Sequence, residues 1–253
     1  MSTKLDVLAT IREAYGGAWN HLGEMIRLIW LPGILYLCFS TASAFVNVEE
    51  QFFAALVLEL AGLFLWPVIA VAWHRFILMG DAPAGAFRFS FGRREARFLL
   101  VSVFLFLILV PGAVLAVAAG QMAQTMTGSL LSFFGLLLLL VSIYFFVRLS
   151  LLLPAVSIGD PVDPRLVLER TRGNFWRLAA VFLSVALPVL VLALLLGSLL
   201  GGGLALQAIS IAAFALVSVF FAVVNVAVLS IAYRELVGPP GSVPSSARTD
   251  PSL

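Results

Sequence analysis

The chain has 253 residues, 62% of them hydrophobic and only 11% charged, with a formal net charge of +2 at pH 7. Soluble domains are roughly half apolar. At a mean hydropathy of +1.11 this chain cannot hide its apolar surface in a water-soluble fold.

Apolar runs of 18 or more residues read as membrane-spanning helices. Six are predicted, over residues 25–46, 52–79, 97–119, 129–153, 178–200 and 206–232. The expected fold class is therefore an all-α polytopic membrane protein, with a membrane domain over 1–238 and a disordered cytoplasmic tail over 239–253. The tail's Gly, Pro and Ser content is that of a chain that cannot bury a core.

Residues 1–24 mix Lys4, Asp6, Arg12, Glu13 and Glu24 with scattered apolar side chains. No compact apolar core precedes a small-residue cleavage site, so a cleaved signal is not expected. The stretch LATIREAYGGAW, residues 8–19, is a short amphipathic segment before the first span. That span holds Pro32-Gly33 and the single cysteine, Cys38, a small apolar packing residue. The second span holds Glu59 and Trp66-Pro67 and ends at His74, Arg75 and Gly80. RFSFGRREARF, residues 88–98, leads into the third span, which carries Pro111-Gly112. The fourth contains Arg148 and reaches toward Pro154. Next, Asp163-Pro164 is a helix start, with Asp as the cap and Pro preorganised at the first position, and Gly173 is a plausible stop. Between them Arg165, Glu169 and Arg172 share a face, with an i,i+4 pairing of Arg165 and Glu169, and Leu166, Val167 and Leu168 form the other. Phe175-Trp176 then sits at headgroup depth. The proline-bearing spans are expected to bend, because neighbouring helices can satisfy the carbonyls that proline frees.

Charge alternates between connections. The linkers VNVEEQ, GQMAQTMTG and the glycines around Gly201–Gly203 hold no Lys or Arg. All 15 basic residues fall on or toward the other side, which the positive-inside rule assigns to the cytoplasm, together with both termini. Arg93, Arg94, Arg97, Arg165, Arg170, Arg172 and Arg177, with Trp176, are the candidate lipid-headgroup and interface residues; each basic residue near an anionic surface contributes about 1 kcal/mol.

Three sets of landmarks recur with gaps of 77 to 79 residues: Trp19, Phe98 and Trp176; Pro32, Pro111 and Pro188; Gly80, Gly159 and Gly238. They predict three copies of one unit, about 1–80, 81–159 and 160–238. Each is a short interfacial helix, a span out and a span back. The copies run parallel, about an axis along the membrane normal.

Three intramembrane polar residues stand out: Glu59, Arg148 and Asn225. Arg148 lies 11 residues before its unit's glycine, nearly two turns deeper than Arg75 or Arg234, or roughly 9 Å. It snorkels, or Pro154 ends the helix early, or it meets a partner, with Asn225, Glu24 and Glu169 as candidates. Glu59 lies nearer the outer face, within reach of Gln121, Gln124 or Gln207, or is held protonated by burial. Such residues are functional candidates by default.

No His/Cys cluster has metal-ligand spacing. His21 and His74 read as interface residues. No phosphate-binding glycine loop or nucleophile elbow occurs. Catalytic residues, metals and cofactors are thus not expected, nor is a nucleic-acid partner.

Arg148 with the following LLLPA, the stretch ERTRGNFWRL, and AYRELVG (Ala232–Gly238) resemble a bacterial multi-span family named after the membrane domain of some glycerophosphoryl diester phosphodiesterases. The resemblance covers mainly residues 145–238. It implies a six-span domain in the bacterial inner membrane and no particular substrate, since phosphodiesterase activity belongs to a fused soluble domain not found in these residues. The expected function is a non-enzymatic lipid-interacting scaffold or accessory subunit, its partners membrane lipids, anionic ones among them, and another membrane protein. The alternative is a transporter or channel for a lipid-like or small amphiphilic solute, with Glu59, Arg148 and Asn225 facing one cavity.

Overall fold

A computed structural model describes residues 4–81, 91–121, 125–198 and 203–242. Arg88, Gln124, Gly201, Gly202, Arg248 and the tail beyond residue 242 lie outside them. Among the described residues the chain is all-helical: α1 (Val7–Asn20), α2 (Leu22–Ser43), α3 (Phe52–Met79), α4 (Arg93–Gln121), α5 (Met126–Leu149), α6 (Leu152–Ile158), α7 (Pro164–Arg170), α8 (Phe175–Gly197) and α9 (Leu204–Leu236). Five helices are long and apolar enough to cross a membrane, counting α5 and α6 together, and α2 makes a sixth if its two bent arms are one span.

Prolines explain the breaks. The arms of α2, Leu22–Leu28 and Trp30–Ser43, meet at 73°. Pro32 has no N–H for the Leu28 carbonyl four residues back, and its ring crowds that carbonyl. Pro154 acts likewise on Ser150, where α5 stops before α6 resumes. The helix of the predicted fourth span thus stops at Leu149, and the span continues through α6 to Ile158. By contrast α3, α4 and α8 continue as single helices through Pro67, Pro111 and Pro188. Gly80, Gly159 and Gly238 all adopt positive φ where α3, α6 and α9 end, the left-handed turn that glycine makes without a Cβ penalty.

The helices pair as hairpins, α2 with α3, α4 with α5 and α8 with α9, while α1 packs on α8 and α9 and α7 on α5. In the most apolar stretches of α3 and α9, 39% of residues are buried, against 17% in α4, α5–α6 and α8, so α3 and α9 form the centre. Buried side chains gather at one end of the bundle. Most lie within Leu65–His74 of α3, Val147–Ile158 and Val223–Leu236 of α9, met by Met25, Phe98, Leu105 and Leu178 from the first halves of α2, α4 and α8. At this arginine end α2, α4 and α8 begin and α3, α6 and α9 finish. Toward the other end Phe106, Val117, Phe133, Leu190 and Leu194 are all more than half exposed. A contiguous apolar exterior of that size is incompatible with water and suits hydrocarbon.

The α4–α5 hairpin is the closest pairing. A Cβ placed on Gly112 would stand 2.7 Å from the Cα and N of Leu139, and one on Gly135 would stand 3.0 Å from the Ala116 nitrogen. Small residues let backbones approach in this way where no hydrophobic effect drives helices together.

Candidate functional site

The site is the layer of helix starts and turns at the arginine end. In α7, Asp163 caps the helix by accepting from the N–H groups of Arg165 and Leu166 at 2.9 and 3.2 Å, with Pro164 in the first turn. Val167 is buried, and Arg165, Arg170 and Arg172 are exposed. The helix stops at Arg170; Gly173, with φ of 78°, turns the chain three residues later. The expected Arg165–Glu169 ion pair is not formed. Both side chains are exposed, where pairing gains little over solvation.

At the start of α4 the Gly92 N–H donates to the Glu95 carboxylate at 2.8 Å, a back-reaching acceptor that satisfies an orphan donor. Arg93, Arg94 and Arg97 point outward while Phe98 is buried. None of these six exposed arginines forms an ion pair among the described residues. Trp176, at the start of α8, is 81% exposed. The predicted interface residues therefore share one end and one exposure, with an exception.

That exception is Arg177. Half-buried, it donates through Nη1 to the Leu5 carbonyl at 2.6 Å, while the Leu5 N–H donates to Oδ1 of Asn174 at 3.0 Å. The α8 start thereby staples the N-terminal segment, and Arg177, unlike the other six arginines, spends one donor on the protein. Tyr15 extends this seam, its hydroxyl donating to the Ser184 carbonyl at 2.9 Å. Burial holds the Tyr15 phenol above its ordinary pKa, so it stays a donor.

Arg148 is buried, at 7% exposure, but its partners are none of those expected. Its Nε donates to the Thr171 hydroxyl at 2.9 Å, Nη1 to the Tyr144 hydroxyl at 2.5 Å, and Nη2 to the Leu168 carbonyl. The guanidinium also lies over the Tyr144 ring, 5.0 Å from its centroid, at cation–π distance. Leu168 belongs to the last turn of α7, whose carbonyls lack helical partners. Arg148 thus locks α7 onto α5, with carbonyl and hydroxyl dipoles taking the place of a carboxylate. Tyr144, four residues before Arg148, shares its helix face and was legible in the sequence. Thr171 and Leu168 were not, because no periodicity links a span to the helix that folds back on it.

Glu59 is exposed in a groove of about 400 Å³ between α2 and α3, beside Tyr36, Ser40 and Ser43. Asn225 is half-buried on α9. No hydrogen bond or ion pair joins Glu59, Arg148 and Asn225 among the described residues.

Sequence reasoning missed several bonds that tie the helix ends together. Arg234 bridges both oxygens of Glu13 at 2.9 and 3.0 Å. The Tyr233 hydroxyl donates to Asp160 at 2.8 Å, and Arg75 pairs with Asp81. His74, read as an interface residue, is fully buried, with Nδ1 2.7 Å from the Ser230 hydroxyl. Since that hydroxyl donates to the Val226 carbonyl, both bonds are satisfied when Nδ1 carries the proton. Among the described residues no three His, Cys, Asp or Glu side chains are grouped to hold a metal. Comparisons with protein-family models, with curated proteins and with solved structures return no match.

Proposed function

We propose that the protein is a non-enzymatic, lipid-interacting scaffold or accessory subunit of a bacterial inner membrane. In this reading six spans form three parallel two-helix units, both termini are cytoplasmic, and the arginine end rests on the anionic headgroups of the inner leaflet. One observation carries it: Arg93, Arg94, Arg97, Arg165, Arg170 and Arg172 are exposed at the same end without protein counter-ions. Unpaired guanidinium groups at an interface find their acceptors in lipid phosphates. The exposed Trp19 and Trp176 at that end fit the aromatic belt. The positive-φ glycines ending α3, α6 and α9 support the repeat. So do the bonds between successive units, Arg148 with the α7 turn and Arg234 with Glu13. The resemblance of residues 145–238 to the multi-span family points the same way. A transporter would need Glu59, Arg148 and Asn225 to converge, and Arg148 is committed to α7.

The test uses the full chain purified in mild detergent, with copurifying lipid identified by mass spectrometry. Arg165→Glu, Arg170→Glu and Arg172→Glu together remove up to about 3 kcal/mol of headgroup attraction. The anionic share of copurifying lipid should fall severalfold. An unchanged lipid profile in a folded triple variant would reject the reading.

A further inference from the structure

The arginine end also contains a cavity of about 820 Å³ between α1, α3 and α9. Its α1 wall includes Gly16 and Gly17, two adjacent glycines inside a helix, where glycine is unfavourable. Neither has a packing reason to be glycine: no heavy atom comes within 4 Å of a Cβ placed on either, and neither has positive φ. What they do is leave space. Ala14 and Ala18 on the same helix, and Ile77, Ala227 and Ile231 opposite, make the wall largely apolar.

Two guanidinium groups, those of Arg12 and Arg234, stand on this cavity. Trp73, at 1% exposure, contributes to the wall, but its Nε1 is closed off from solvent. Arg12 is exposed at the rim. Arg234 turns Nη2 to Glu13 and leaves Nη1 without a bond to the described residues. Glu13 and, just off the wall, Glu235 both pair with Arg234, so Arg12 is the guanidinium on this wall without a carboxylate partner among the described residues.

We propose that this cavity is a binding site for one anionic glycerophospholipid, its phosphodiester taken by Arg12 and Arg234 Nη1, with its acyl chains against the apolar wall of α9. This rests on the lipid reading above but is separable from it, because the exposed arginine layer forms no part of the wall. A leucine at position 17 fills the space from a helix position free of neighbours, so the helix should still form.

Native mass spectrometry of the full chain, loaded with phosphatidylglycerol, reads the site as one retained lipid. Gly17→Leu should lower the retained fraction at least tenfold, and Arg12→Gln, at an exposed position, severalfold. Arg165→Glu, Arg170→Glu and Arg172→Glu together should leave this single lipid in place while reducing the loosely associated anionic lipid; the converse pattern would reject the cavity alone. Retention of phosphatidylcholine equal to that of phosphatidylglycerol would overturn the charge argument. Full displacement by inorganic phosphate would show a site for a soluble anion and overturn the lipid. Wild-type retention by a folded Gly17→Leu variant, or by Arg12→Gln should the leucine variant not fold, would overturn the proposal.

Discussion

Arg148→Met removes a buried guanidinium while keeping most of its apolar stem. Three bonds are lost, to Thr171, Tyr144 and the Leu168 carbonyl. Hydrogen bonds to charged groups contribute about 1.5–3 kcal/mol each, but two considerations reduce their sum. Methionine escapes the desolvation that the buried cation bears, and the Tyr144 side chain, 37% exposed, can find another partner. The dominant loss is the stranded Leu168 carbonyl and the released Thr171 turn, giving about 3 kcal/mol in all. That cost belongs to the attachment of α7 on α5 rather than to the bundle, whose centre is α3 and α9. Hydrogen exchange at the amides of residues 167–171 should therefore accelerate roughly a hundredfold, while α3 is unaffected. Arg148→Lys should fall between, since an ammonium cannot span three acceptors set for a planar fork. A folded Arg148→Met protein with unchanged exchange in 167–171 would refute the claim that this side chain anchors α7.

Two further outcomes follow from the packing and from the charge asymmetry. Gly112→Ala should destabilise the α4–α5 hairpin by about 1–3 kcal/mol, measured as a lower thermal midpoint in detergent. Its Cβ falls about 0.7 Å short of ordinary contact with the Leu139 backbone, which cannot rotate away as a side chain would, so an unchanged midpoint would contradict that approach. In a Cys38→Ser background, single cysteines at Lys4 and Gly241 should both react with a membrane-impermeant thiol reagent only after the inner face is exposed. Labelling of one end from outside would break the proposed topology.

Much of the local structure was legible because it depends on neighbours in sequence. The Asp163-Pro164 start of α7 is a matter of cap chemistry within three residues, and the glycines at 80, 159 and 238 announce left-handed turns. The apolar runs fixed the helices through the requirement that lipid-exposed backbone satisfy its own hydrogen bonds. The bend of α2 was expected from Pro32-Gly33, whereas the early stop of α5 was one of several alternatives. Proline weakens a helix wherever it stands, but the packing around it decides whether the helix breaks, as at Pro32 and Pro154, or continues, as at Pro111 and Pro188.

What the amino-acid order determined by itself was the solvent, the helices and the one-sided placement of arginine, all set by hydrophobicity and local geometry. Only the tertiary structure decided which arginines are ligands for the protein and which remain free. Arg148, Arg177 and Arg234 find acceptors on segments 20 or more residues away, whereas Arg93, Arg165 and Arg172 stay exposed. A guanidinium has the same charge and reach in either setting, and it is the distant carbonyl, hydroxyl or carboxylate brought beside it by folding that separates the two.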